Sequence, residues 1–424
     1  MIILLGVDLL LAVFMVFSFA SRGFSAEINQ KITEQKKAES AAYAAQLLGT
    51  EVSDIEIVEY QPSFMDKVYV FFAENSGYFI VAFLDVLVVL GYSLLSQYIK
   101  AINGFQKDSV RSRNSNSNIF GILLALAVLF LDLSILSDKF LTYSNLINVL
   151  QQININFIVA VGMTFVIISG GIDLSVGSNM GLTALFMAMM MNYWNIPVPV
   201  VIITGVAMSA LMGFLNGQII TKFGIPPFIA TLGTMYVGRG LAYTITGGRT
   251  ISDFPEPFKG ITSRVWGFPL YSSLIMLAVF VLGLVILNNT CIGRFTYSIG
   301  GNEDCSRLSG INIKKYKTIV YLVSGVCCGI AAVILGSRLN SATVTNAEGY
   351  EMDAIAAVVI GGTSMSGGEG NLYGTLVGIF FIGFISNGLN LLGVGQGPQK
   401  IVKGIIIVIA VIIDVTRRKA TEKR

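Results

Sequence analysis

Twelve largely apolar runs organise this chain of 424 residues. A helix needs about 20 mostly apolar residues to cross a bilayer. Runs of that kind lie at 2–20, 77–99, 119–137, 153–169, 175–193, 198–220, 226–246, 270–288, 317–338, 351–365, 371–393 and 402–416. Hydrophobic residues make up 54% of the chain and charged residues only 12%, about half the charged share of an ordinary soluble protein. One soluble globule is excluded. In hydrocarbon every backbone amide and carbonyl needs an internal partner, so the expectation is an all-α polytopic membrane protein, with the shorter runs entering as broken or re-entrant helices.

Residues 1–118 differ from the rest. Two runs there are separated by a Glu/Lys/Gln/Ala-rich stretch (26–48) of helical composition and followed by a Ser/Asn/Arg linker. They are expected to form an added membrane hairpin with an extracytoplasmic helical segment and a basic cytoplasmic linker. Cleavage of 2–20 as a signal peptide is the alternative, but no basic stretch precedes its apolar part. The core, 119–417, holds ten runs, five on each side of a loop at 247–269. An odd number per half would make the halves antiparallel, as in transporters built from inverted repeats, although no residue-level repeat is visible.

Lys and Arg collect on the cytoplasmic side of membrane proteins. With the 100–118 linker inside, Lys222, Arg294, Arg307, Lys314, Lys315 and the basic tail 418–424 also fall inside. The opposite side receives few cations from the core: Lys139, Arg249, Lys259, Arg264 and Lys400.

The most distinctive polar stretch is an island, 293–317, between two apolar runs. Within it, Asn302 and two acids open a short segment that ends at Gly310, a proper start and stop for a helix. A compact helix held in water by a membrane chain suits a grip on a soluble partner. Two glycine-broken stretches interrupt the apolar runs: 169–178, with Ser169, Gly170, Gly171, Asp173 and Ser175, and 361–370, with Gly361, Gly362, Thr363 and Ser364. Irregular backbone at membrane depth is tolerated only where protein or a water-filled cavity satisfies it, so these stretches mark a translocation pathway or gate. Their hydroxyls suit a polyhydroxylated solute, but Gly and Ser also let helices pack closely. Both breaks are expected toward the cytoplasmic side. Asn216 and Thr231 are polar residues in apolar segments with the same two readings, as are Thr234, Tyr236 and Arg239. Asp173 and Asp353 are the acids most nearly embedded; capping of a helix start explains Asp173 as well as function does. The loop 247–269, with Phe254, Phe258 and Trp266, suits either docking of a soluble delivery protein or an interfacial aromatic belt.

Catalytic chemistry has little support. The chain has no His, its four Cys lack metal-type spacing, and no Walker-type phosphate loop occurs. Cys327 and Cys328 are expected to be buried hydrophobes.

Four separated motifs, GMTFVIISGGIDLSVGS (162–178), IPPFIATLGTMYVGRGLAYTITGGR (225–249), SIGGNEDCSRLSGINIKKYK (298–317) and GYEMDAIAAVVIGGTSMSGGEGNLYGTLVG (349–378), resemble the permease of ribose-type sugar ABC importers. That permease belongs to the branched-chain amino acid and monosaccharide permease superfamily, and the likeness covers about 119–417. It implies a core of about ten helices, some broken, in the bacterial cytoplasmic membrane. It also implies a second permease chain, identical or paralogous, a cytoplasmic ABC ATPase and an extracytoplasmic sugar-binding protein. ATP and Mg would stay on the ATPase, with no cofactor, metal or nucleic acid on this chain. The loop 299–313 would be the coupling helix seated on the ATPase, through Gly301, Asn302, Glu303, Ser306, Arg307, Gly310 and Ile311. Ser306 replaces a usual Ala, and the segment 395–400 departs from the family by lacking an aromatic. The solute would be a pentose or hexose; related permeases carry nucleosides, a furanosyl signalling molecule or branched-chain amino acids. The alternative is a stand-alone secondary carrier or facilitator, against which the scarcity of embedded acids stands.

Overall fold

The computed structural model describes residues 116–422. The chain divides into two compact units. One is Met1–Ser109 with Leu392–Val394, and the expected hairpin runs 2–20 and 77–99 lie outside the described residues. The other, Val110–Leu391 with Gly395–Arg424, carries the elements that follow. They are α1 (Asn116–Leu136), α2 (Tyr143–Ile168), α3 (Val176–Asn192), α4 (Val198–Phe223), α5 (Pro227–Thr246), β1 (Ile251–Ser252), α6 (Glu256–Lys259), α7 (Leu270–Asn289), α8 (Cys291–Gly301), α9 (Glu303–Leu308), α10 (Ile313–Leu339), β2 (Ser341–Ala342), α11 (Tyr350–Ile360), α12 (Leu372–Leu391) and α13 (Gln396–Glu422). Proline opens α4 and α5, where a missing N–H costs nothing. Gly224 and Gly247, at φ 67° and 61°, stop them.

All ten core runs are helical, but not all as expected. Among the described residues, five helices are long and apolar enough to cross a membrane: α2, α4, α7, α10 and α12. The run expected at 153–169 begins ten residues earlier, at Tyr143. Its first turns are rich in amides, several of which find partners on other elements. Asn145 bonds Asn387 at 3.0 Å, Gln151 donates to Thr262 O at 3.2 Å, and Asn154 donates to Ser272 and Ser273. The run expected at 351–365 stops at Ile360 as an 11-residue helix. That is about 16 Å, half of the hydrocarbon thickness of about 30 Å, so α11 is a half-helix.

The inner layer is α2, α3, α10 and α11. The spanning window of α2 is 94% buried, against 22% for those of α4 and α7, which turn Ile203, Leu211, Leu277 and Leu282 outward. α4 and α10 meet nearly backbone to backbone. A Cβ on Gly213 would overlap Tyr321 O, one on Gly217 would lie 2.7 Å from Thr318 Cα, and ones on Gly325 and Gly329 would lie 2.5 Å from Ser209 O and 2.8 Å from Val206 Cα. GFLNG and GVCCG are thus two facing small-xxx-small seams. A second, smaller apolar cluster joins α1, α12 and α13 around Leu129, Phe140 and Phe381.

The two ends of the α2–α10 pair are distinct. At one end Gln151 and Ser337 bond the 3-10 turn Gly260–Thr262 and Lys259, while β1 pairs with β2 through Ile251↔Ala342 and Ser252↔Ser341. At the other end lie α8 and α9.

α13 is fixed to α11 by charge. Lys403 Nζ lies 2.8 Å from Asp353 Oδ1, and Asp353 is only 7% exposed. Removing one partner of a buried pair leaves an uncompensated charge. Lys403→Met is therefore expected to lower stability by about 3–5 kcal/mol, read as the thermal midpoint in detergent. Adding Asp353→Asn should restore most of the loss, and an unchanged midpoint in the single variant would remove this pair from the fold's supports.

Candidate functional site

The polar island folds as a two-helix corner. Thr290 caps α8 by accepting from Ile292 N at 3.2 Å. Asn302, the only residue between α8 and α9, accepts from Cys305 N at 2.9 Å and caps α9. The stop is a Schellman motif: Ile311 N donates to Ser306 O, Gly310 N to Arg307 O, and Gly310 takes φ 82°. Glu303 pairs with Arg307 at 3.2 Å and with Lys317, tying α9 to α10. Ser306 is buried and its hydroxyl bonds Ser298 of α8 at 2.8 Å. Asp304, Cys305 and Arg307 face solvent, with Leu308 88% exposed at the tip. The short helix read from the sequence is present, with its cap and stop. Helix α8 was not foreseen; the small and polar residues of 291–301 disguise it.

The first break starts at the α8 end and returns toward the middle of the molecule. Ser169 is buried with its hydroxyl on Val166 O, and Gly170 turns the chain at φ 77°. Gly171 lies against the Tyr321 hydroxyl. Asp173 then reaches Ser324, near the centre of α10, by accepting its hydroxyl at 2.9 Å. The same carboxylate accepts Ser175 N at 3.0 Å and Ser175 Oγ at 2.6 Å. Asn216 of α4 donates to Ser175 Oγ at 2.8 Å, and Thr231 of α5 donates to Ile172 O at 3.2 Å. Asp173, Ser175, Asn216, Thr231 and Ser324 are each at most 2% exposed. One carboxylate therefore organises a closed polar hub among α3, α4, α5 and α10, and part of the expected cytoplasmic-side break sits half-way along α10.

The second break stays at the α8 end. Gly361 packs on the backbone of Gly374, and Gly362 turns at φ 88°. Ser364 Oγ and Met365 N both donate to Asp414 of α13, at 3.2 and 3.0 Å. Thr363 is fully buried, and its Oγ1 has no hydrogen-bond partner among the described residues. Gly368 N donates to Ile168 O, the last carbonyl of α2, at 2.9 Å. The two breaks and α8 thus come together, whereas Asn216 and Thr231 belong to the hub.

The hydroxyls singled out in the sequence are engaged by protein or enclosed in this conformation. Sequence reasoning missed Ser324, Asp414 and Lys403. The available signal was the buried acids themselves, since each requires donors or a cation from a neighbouring helix. Arg239, left open between cavity and neighbour, donates to Val344 O and to Asn346 O in the stretch before α11. Thr234 bonds back to Thr231 O, and Tyr236 is exposed. Among the described residues no three metal-ligating side chains stand together. The site is thus built of short helices and glycine turns tied to one another by hydrogen bonds.

The comparisons with known proteins agree with this architecture. Residues 145–411 match the model of a family described as branched-chain amino acid transport system / permease component. The ribose import permease protein of Bacillus subtilis is 44% identical over 304 residues, covering 69% of this chain and 92% of that protein. Its Escherichia coli K12 counterpart is 42% identical over the same length and shares. The xylose transport system permease protein of Haemophilus influenzae is 32% identical over 369 residues, 72% of this chain and 98% of its own. No solved structure is significantly similar to the chain. With well over half of its length matched and relatives of this identity covered almost end to end, the chain belongs to the branched-chain amino acid transport system permease family.

Proposed function

We propose that this chain is the membrane-spanning permease subunit of an ATP-driven, binding-protein-dependent importer for a monosaccharide of the ribose type. The observation that carries the reading is the 44% identity across 92% of a ribose import permease; relatives named for xylose and L-arabinose support a monosaccharide rather than one fixed sugar. Geometry supports the mechanism. The α8–α9 corner projects a capped, charged knob at the end of α2 where both helix breaks lie.

In this reading Gly301, Asn302, Glu303, Ser306, Arg307, Gly310 and Ile311 form the coupling element seated on a cytoplasmic ATPase, which binds ATP and Mg. The extracytoplasmic binding protein delivers solute at the β1–β2 end. A second permease chain, identical or paralogous, completes the pathway in the bilayer. ATP binding draws two such knobs together and switches the pathway between two rigid-body states. Ser169, Gly170, Gly171, Asp173, Ser175, Asn216, Thr231, Gly361, Gly362, Thr363 and Ser364 act as the gate. Their bonds hold the closed arrangement, and their glycines supply the joints.

Mild detergent extraction from native membranes tests the subunit assignment: a Walker-motif ATPase should co-purify in stoichiometric amount, and its absence would turn attention to a stand-alone carrier. Reversing the charges of α9 with Glu303→Lys and Arg307→Glu should leave membrane insertion normal and abolish uptake; wild-type uptake would overturn the coupling role. At the gate, Asp173→Leu leaves one amide and two hydroxyl donors without their acceptor, at about 1–3 kcal/mol for each that stays unpaired, whereas Ser324→Ala removes one donor at about 1 kcal/mol. The thermal midpoint should therefore fall much further in the first variant than in the second, and equal midpoints would show that the carboxylate is not the hub.

A further inference from the structure

Ile168, Gly300 and Gly368 are far apart in the chain and touch through backbone atoms. A Cβ on Gly300 would overlap the carbonyl oxygen of Ile168 and lie 2.5 Å from Gly368 N. A Cβ on Gly367 would lie 2.9 Å from both Gly170 N and Gly300 O, and one on Gly368 2.7 Å from Gly301 Cα. Gly367 and Gly368 hold φ of 82° and 78°, a region that side chains disfavour. One hydrogen bond, Gly368 N to Ile168 O at 2.9 Å, pins the loop to α2. Another, from the Tyr297 hydroxyl to Gly370 O at 2.7 Å, pins it to α8.

Resting on the importer reading above, we infer that this side-chain-free junction is the mechanical link between α9 and both helix breaks, with Gly300 as its positioning residue. The last turn of α8 cannot move independently of α9. A single residue, Asn302, joins them, and the Ser298–Ser306 bond ties one to the other. A displacement of α9 therefore arrives at Gly300. There it meets carbonyl and amide groups instead of side chains that can change rotamer, and close-packed contacts of that kind transmit strain. Through Ile168 the push reaches the 169–175 segment and the Asp173 hub. Through Gly367 and Gly368 it reaches the α11–α12 loop, and through Ser364 and Met365 it reaches Asp414 on α13.

The test uses the complex of this chain with its co-purified ATPase and the binding protein, reconstituted in liposomes with radiolabelled ribose as the probe. The quantity read is ribose moved per ATP hydrolysed. Gly300→Ala should reach the membrane and retain the ATPase while this ratio falls about tenfold, within the usual range of coupling between sites. Gly404→Ala is the control, since Gly404 is exposed on α13 and a Cβ there meets nothing within 4 Å; its ratio should stay at the wild-type value. A Gly300→Ala complex with the wild-type ratio overturns the junction. If Gly300→Ala fails to accumulate, Tyr297→Phe decides, because it removes one hydroxyl and keeps the ring: a ratio lowered about fivefold supports the link, and an unchanged ratio overturns it. A wild-type complex that takes up none of radiolabelled ribose, xylose and L-arabinose in an ATP-dependent manner sinks the importer reading instead, so the two failures are told apart.

Discussion

A helix end buried inside the protein strands its last carbonyls and the following amides where no water reaches them. The rest of this architecture depends on how that constraint is met at Ile168. The terminal carbonyl of α2 is taken by an amide from the second break, Gly368 N. Each interruption thereby supplies part of what the other lacks. The approach this requires is closer than any side chain permits, which explains glycines at 300, 367 and 368 where three backbones converge. The two breaks thus share a hydrogen bond and a close backbone contact although two hundred residues lie between them.

The same constraint sets the chemistry half-way along α10. An acid enclosed there is costly unless donors surround it. Asp173 collects one amide and two hydroxyls, and the Asn216 amide extends the chain to α4. Asp353 takes the other solution, a cation from α13. The two acids thus have different duties. Asp173 organises the start of α3 without an opposite charge. Asp353 binds the last helix to a half-helix by an ion pair that tolerates little separation.

Much of this was legible in the sequence. Ten core runs, the capped segment after Asn302 and both glycine breaks follow from hydropathy, capping chemistry and backbone freedom, which are local properties. What was hidden is non-local. The start of α2 is masked by Asn145, Gln151 and Asn154, whose partners lie on α7, on α12 and in the loop before α7. α11 reads as part of a longer run until the close approach of Gly361 to Gly374 shows where it must end. The GFLNG and GVCCG seams are visible as patterns, but nothing in the linear order says that they face each other. The depth of Asp173 was misplaced because the chain doubles back after Gly170, a turn that the glycine permits without dictating its direction.

The stiffness of the α8–α9 corner has a similar origin. A six-residue helix is far below the length at which an isolated helix holds together in water, so α9 owes its form to its surroundings. Asn302 satisfies its first turn, the Schellman closure its last, and Glu303 anchors it to α10 through Lys317. Ser306 adds a partly buried bond to Ser298 that an Ala could not make. Every one of these bonds would have to break for α9 to fray under load. The corner is consequently one stiff piece, whereas Gly170 and Gly362, at φ 77° and 88° with no atom within 4 Å of an added Cβ, are turns with room around them.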